Sequence, residues 1–334
     1  MKTGLLRRIA AIVCLLACVE SANAGADVIR IMVAGIGKQI YLPVTLAAQL
    51  GYFKAQGIEV ELRSEVSGVN AEDQLLAGAV QGVVGFYDHT IDLQARGKFV
   101  QSVVQFSRAP GEAELVAAKL VQDIKSPADF KGRRLGVTGL GSSTQFLSSY
   151  LGVTHGVRIA DMTMVSVGSG QRFIDAMRQG SIDVGMTTEP TISQLLKAGE
   201  ARILVDLRTP QSTVEVLGGL YPAACLYMTT LWTNTHKLQV QKLANALVKA
   251  LRYIGEHSAE EIAAQMPPEF YFGERALYVD ALRDSKSMFT LDGVMPAAGP
   301  ATVLKVLKAV DRVVQGKTID LSKTFTTEFV LAAQ

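Results

Sequence analysis

Cysteine is scarce in this chain. Cys14 and Cys18 stand within the first 24 residues, and Cys225 alone remains in the body, so no internal disulfide framework can form. Cys225 lies in the apolar run Ala223-Ala224-Cys225-Leu226-Tyr227, where a lone cysteine reads as a small core residue and not as a nucleophile. Histidine is sparse too: His89, His155, His236 and His257 are scattered without an i,i+4 pair, so no zinc-type metal set is expected. No Gly-x-Ser-x-Gly elbow occurs, and no catalytic residues are assigned. Neither charge sign dominates, with 33 basic against 31 acidic residues. A nucleic-acid partner is therefore not expected, because phosphate binding needs clustered cations. Beyond the first 24 residues no stretch of 18 uninterrupted apolar residues occurs, which leaves no membrane-span candidate.

The first 24 residues account for what basicity there is. Lys2, Arg7 and Arg8 precede the apolar run Ile9 to Val19, and Ala22-Asn23-Ala24 follows. This is the layout of a secretory signal peptide cleaved after Ala24, and it points to a periplasmic protein. Leu15-Leu16-Ala17-Cys18 offers a second reading as a lipobox, with Cys18 acylated as a lipid anchor. Simple cleavage is preferred because the Ala-Asn-Ala site is well placed. Cleavage removes three basic residues and one acid, Glu20, and leaves 30 of each sign. Bulk charge then selects neither an anionic nor a cationic solute.

Apolar residues make up 49% of 334, enough to offset chain entropy, and that length favours two domains. Strand-like and helix-like segments alternate. Strands are expected at 28–34, 58–63, 80–86 and 100–106, with helices between them. A second series places strands at 114–118, 134–138, 162–167, 182–186 and 203–206, and a strand at 223–229 closes it. From His236 onward only helices follow. Such β-α units predict an α/β fold of two mostly parallel-sheet lobes with a helical C-terminal region.

One loop stands out chemically. Gly139-Leu140-Gly141-Ser142-Ser143-Thr144 joins a strand to a helix. Free N–H groups at a helix start, approachable over glycine and flanked by hydroxyls, suit a sulfonate, phosphate, carboxylate or nitrate. An ordinary N-cap explains the same residues, and both readings stand. Gly136 and Gly141 have Walker-like spacing, but Ser142 stands where the lysine should be. Thr144 replaces the third glycine of a dinucleotide fingerprint, so no cofactor is expected. Tyr87-Asp88-His89-Thr90 also follows a strand and opens a helix, the position where open α/β sheets bind ligands.

Four segments carry a resemblance. They are Leu50-Gly51-Tyr52-Phe53-Lys54-Ala55-Gln56-Gly57-Ile58-Glu59-Val60-Glu61, Leu76-Ala77-Gly78-Ala79-Val80-Gln81, Ser126-Pro127-Ala128-Asp129-Phe130-Lys131-Gly132-Arg133-Arg134-Leu135-Gly136-Val137, and Ala176-Met177-Arg178-Gln179-Gly180-Ser181-Ile182-Asp183-Val184 with Glu189-Pro190 beyond it. In this order they resemble the sulfonate-, nitrate- and taurine-type substrate-binding proteins of bacterial ABC importers, which include binders of thiamine pyrimidine precursors. Gln81 and Gly82 depart from the family's usual Asp and small residue.

The resemblance implies a bilobed type II periplasmic-binding-protein fold with a ligand cleft. Residues 25–110 plus 226–334 would form lobe I and 111–225 lobe II, with chain crossings near Arg108–Glu114 and Leu217–Thr230. Ligand contacts would fall on Lys38, Gln39, Ser67, Gly68, Tyr87, Asp88, His89, Gly141, Ser142, Ser143, Thr144, Ser169, Thr188 and Glu189. The implied partners are a small-molecule solute and an inner-membrane ABC permease with its cytoplasmic ATPase, and the chain is expected to be a monomer. An anion is favoured as solute. Lys38 fits that, whereas Asp88 and Glu189 suit an amine, amidine or aminopyrimidine, since a carboxylate facing an anion is costly. The rival functions are an enzyme on the same fold, of desulfinase or pyrimidine-synthase type, and a ligand sensor.

Overall fold

The computed structural model describes residues 28–271 and 273–333. The leader, with Cys14, Cys18 and both cleavage readings, lies outside the described residues. Ten strands form two five-stranded sheets. The strands are β1 (Ile29–Val33), β2 (Val60–Ser64), β3 (Gly82–Phe86), β4 (Val100–Gln105), β5 (Glu112–Ala117), β6 (Arg134–Val137), β7 (Thr163–Ser166), β8 (Val184–Thr188), β9 (Ala201–Leu207) and β10 (Ala224–Thr229). The first sheet runs β2-β1-β3-β10-β4 and the second β7-β6-β8-β5-β9.

Each sheet holds one antiparallel strand next to its centre. β10 lies antiparallel between β3 and β4, with Ala224 opposite Phe86 and Cys225 opposite Gln105. β5 does the same between β8 and β9, with Glu112 opposite both Thr188 and Leu207. The chain leaves the first sheet after β4, builds the second, and returns as β10. This is the bilobed α/β periplasmic-binding-protein architecture, with two mixed, mostly parallel sheets as the sequence leads one to expect.

Residue composition explains the order. β3, β4, β5 and β10 are buried along nearly their whole length, as strands covered on both faces must be. The edge strands β2 and β7 are half-exposed, β2 with charged and β7 with hydroxyl side chains. At the centre of the second sheet β6 and β8 approach so closely that a side chain on Gly185 would meet Phe173 and the Gly136 carbonyl, at 2.7 and 2.9 Å. Behind the first sheet the helix Lys237–Glu256 buries Val240, Leu243, Ala244, Leu247, Leu251 and Ile254, one stripe at helical spacing.

The helix Pro210–Leu217 was not anticipated, although Thr209 caps it, Pro210 opens it and Gly218 ends it left-handed at φ 79°. Those are ordinary start and stop signals. The C-terminal helices pack on both lobes. Gly299–Val310 lies against helix Ser143–Thr154 of the second lobe and Asp88–Ala95 of the first, and Arg275–Ser285 touches Thr191–Lys197. Among the described residues no helix is long and apolar enough to cross a membrane.

Candidate functional site

In parallel βα units the carboxyl ends of the strands gather the loops that bind ligands. Four such ends face one another across the lobes here. β1 feeds the loop to the turn Gln39–Tyr41, and β3 feeds helix Asp88–Ala95. On the other side β6 feeds helix Ser143–Thr154, and β8 feeds Glu189 and helix Thr191–Lys197. The lobes are bonded to each other at this place: Ser143 Oγ donates to Asp88 Oδ1 at 2.8 Å, and the Gln39 amide donates to the Glu189 carbonyl at 3.1 Å. A cavity of about 250 Å³ opens at the lip, lined by Lys38, Val66, Ser169, Gln171, Glu189 and Thr191 among others. A larger cavity of about 820 Å³ lies between Ile29, Ile58, Trp232 and Lys242. It contains none of the expected ligand residues, so volume alone does not mark the site.

The hydroxyl loop is organised inward. Gly141 turns it at φ 83°, a left-handed conformation that glycine adopts freely. Ser142 Oγ donates to the Gly139 carbonyl at 2.6 Å and lies 2.7 Å from Thr144 Oγ1, which accepts from the Thr138 amide at 2.9 Å. Ser143, the first residue of the helix, gives its hydroxyl to Asp88. One hydroxyl of the expected anion cradle is therefore engaged by a carboxylate of the protein itself.

Asp88 is fully buried, and Tyr221 donates a second hydrogen bond to its Oδ2 at 3.0 Å. Burial pushes this carboxyl up, while neighbouring His89, Ser143 and Tyr221 oppose the rise. Glu112, at the cleft end of β5, is 2% exposed, and its Oε2 has no partner among the described residues. Burial drives its pKa well above the carboxylate range against the pull of Lys38, with Asp88 and Glu114 adding to the rise. The Lys38 ammonium is lowered to about 8 by burial despite Glu112. Two residues along the same face of β5, Glu114 accepts from Ser148 Oγ at 2.6 Å and is raised by burial to about 8.

The remaining expected residues divide by what they touch. His89 Nδ1 lies 2.8 Å from Glu72 Oε2, and its ring packs against Gly68, where a Cβ would come within 2.4 Å of Nε2. Burial pushes the imidazole down, but Glu72, Asp88 and Asp92 together outweigh it and hold the pKa at about 9. Glu189 is 1% exposed and fully engaged, accepting from Arg208 Nη1 at 2.9 Å and the Ser193 amide at 3.0 Å; it does not face solvent. Tyr87 pairs its hydroxyl with Thr324 and its ring with Phe325, on the C-terminal segment. Ser67 caps helix Gly68–Leu76 through the Asn70 amide, and the Gln39 side chain donates to the Tyr278 carbonyl. Ser169 is at the lip, and Thr188 pairs with Glu112 in the sheet.

Sequence reasoning missed Glu112, Tyr221 and Arg208. Glu112 was placed before its strand, although the alternation Glu112-x-Glu114 in an apolar strand was a readable sign of two buried carboxyls. Nothing local marks Tyr221 or Arg208. Among the described residues no group of three or more His, Cys, Asp or Glu is placed to hold a metal.

The model of the NMT1/THI5-like family matches residues 40–261. The chain belongs to that family. A solved structure from Bordetella bronchiseptica RB50 is 35% identical to this NMT1/THI5-like chain, covering 92% of it and 96% of the other at TM-score 0.87. The alkanesulfonate-binding protein SsuA from Xanthomonas axonopodis pv. citri, bound to MOPS, is 18% identical, with 90% and 98% covered at TM-score 0.70, and shares the fold. The 4-amino-5-hydroxymethyl-2-methylpyrimidine phosphate synthase THI13 of Saccharomyces cerevisiae is 26% identical over 151 residues. That match takes in 45% of this chain and 42% of the yeast protein. The family match contains Asp88, Glu112, Ser142 to Thr144 and Glu189, whereas Lys38 and Gln39 precede it.

Proposed function

We propose that this chain is the periplasmic solute-capturing component of an ABC importer, closing its two lobes on one small organic solute and presenting the closed form to a permease. Residues 25–110 with 226–334 would then be one arm and 111–225 the other. The observation that carries this reading is the interlobe pair Asp88–Ser143, which joins the strand ends of the two sheets around the unpartnered, buried Glu112 Oε2. Such a site is built to be shut around a ligand and opened to release it. Structural kinship to an alkanesulfonate-binding protein supports a binder. The yeast synthases keep an enzyme in view as the second reading. Against it, Cys225, the one thiol among the described residues, is completely buried, and burial pushes its pKa up, which suppresses the thiolate a nucleophile needs.

Small-angle scattering tests the proposal. A solute that raises the melting midpoint should also reduce the radius of gyration, with no product formed on prolonged incubation. Turnover of the bound solute, or binding that leaves the radius unchanged, would refute capture by closure.

A further inference from the structure

Helix Ser143–Thr154 has twelve residues, and its first turn carries partial positive charge, with the Ser143 hydroxyl turned toward the opposite lobe. In a binder of free anions that place must be empty for the ligand. Here Asp88, from the opposite lobe, is bonded to the Ser143 hydroxyl at that place. Its two oxygens are held by different elements, Oδ1 by Ser143 and Oδ2 by Tyr221. Both contacts donate to the carboxylate and so oppose the rise that burial imposes on its pKa. A sulfonate entering the same space would displace Asp88 or lie against it, and two unpaired negative groups in a buried site repel strongly. The second independent sign is Glu112, at the cleft end of its strand, whose Oε2 is buried without a partner among the described residues, as is Glu114 Oε1 two residues further on. A buried carboxyl oxygen left without a polar partner is costly.

We propose that Asp88 sets the charge class of the solute: bonded to Ser143 at the start of the second lobe's helix, its carboxylate excludes free anions and selects a cation or a solute rich in N–H donors. This rests on the solute-capture reading above. It reverses the preference for an anion that the hydroxyl loop suggested. Lys38 is buried next to Glu112, where it already serves as that carboxyl's counter-charge, and its Nζ lies over the Tyr41 ring, 5.9 Å from the centroid.

Isothermal titration of the purified protein provides the test, with methanesulfonate and nitrate as anion probes and acetamidinium and benzamidinium as donor probes. Asp88→Ala vacates the helix start and should bind methanesulfonate at least about tenfold tighter than the parent. Asp88→Asn keeps shape and folding and should weaken benzamidinium by about tenfold or more, the loss of one charge-assisted bond. A parent protein that binds methanesulfonate as tightly as Asp88→Ala overturns the proposal, as does silence of both to anions. Benzamidinium binding unchanged in Asp88→Asn overturns it as well. Capture is judged separately, from the distance between spin labels placed on the two lobes. A bound probe that leaves that distance unchanged refutes closure without touching charge class, and closure on an anion with Asp88 in place refutes charge class alone.

Discussion

The buried pair His89–Glu72 makes a prediction in which sign and size both follow from the structure. His89 is 1% exposed, and its Nδ1 is 2.8 Å from Glu72. Burial alone would lower the imidazole pKa, yet Glu72, Asp88 and Asp92 raise it to about 9, above its ordinary 6.5. A group bound more tightly to its proton in the folded state stabilises that state wherever it is protonated. The contribution is therefore complete below pH 6.5 and is lost as pH rises through 9. A shift of this size corresponds to about 3 kcal/mol. Glu72→Gln removes the main force opposing burial, so the imidazole should become neutral in the folded protein near neutral pH. Calorimetric melting of parent and variant should then give curves that differ most at pH 6 and converge toward pH 9.5, by roughly 3–9 °C at the acid end for a protein of this size. Taking the difference cancels Lys38 and the other titrating groups common to both proteins. Two parallel curves across that range would refute the assignment of a charged, Glu72-held His89.

Gly68→Ala drives a methyl group to within 2.4 Å of His89 Nε2, so the ring must move off Glu72. Stability should fall by about 1–3 kcal/mol, read as a lower denaturant midpoint, and the same pH dependence should flatten. Arg208→Ala strands Glu189, which is 1% exposed, at a cost of about 3–5 kcal/mol at pH 7. Because burial already raises the Glu189 pKa, that cost should shrink as pH falls and the carboxyl takes up a proton, which thermal melts at pH 5 and pH 7.5 will show.

The fold was legible because its signals are local. Alternating apolar runs and glycine or proline punctuation place every strand within a few residues of its observed bounds, from Val28–Ala34 against β1 to Ala223–Thr229 against β10. Direction is another matter. The antiparallel setting of β5 and β10 follows from where the chain crosses between lobes, and the hydropathy of Glu112–Ala117 would serve a parallel strand equally well. The missed helix Pro210–Leu217 carried a cap, a proline and a glycine. Against those signals, its exposed Val214 and Val216 blur the apolar stripe that a helix on a core should show.

The site was legible only as an inventory. Asp88 and Ser143 both stand at strand ends, and each was read as a group offered to a ligand. They are 55 residues apart and on different lobes, so only the folded chain shows that one satisfies the other. The same holds for Glu189 with Arg208 and for His89 with Glu72. Once these pairs are formed, most polar groups at the strand ends are spent on each other. What can still discriminate a solute is the small remainder, Glu112 Oε2 chief among it, together with the charge that Asp88 keeps in place. Specificity in this cleft is therefore set as much by which donors the protein has already occupied as by which it presents, and the hydroxyl loop is a clear instance: its sequence advertises an anion site, one hydroxyl of which the fold has already engaged.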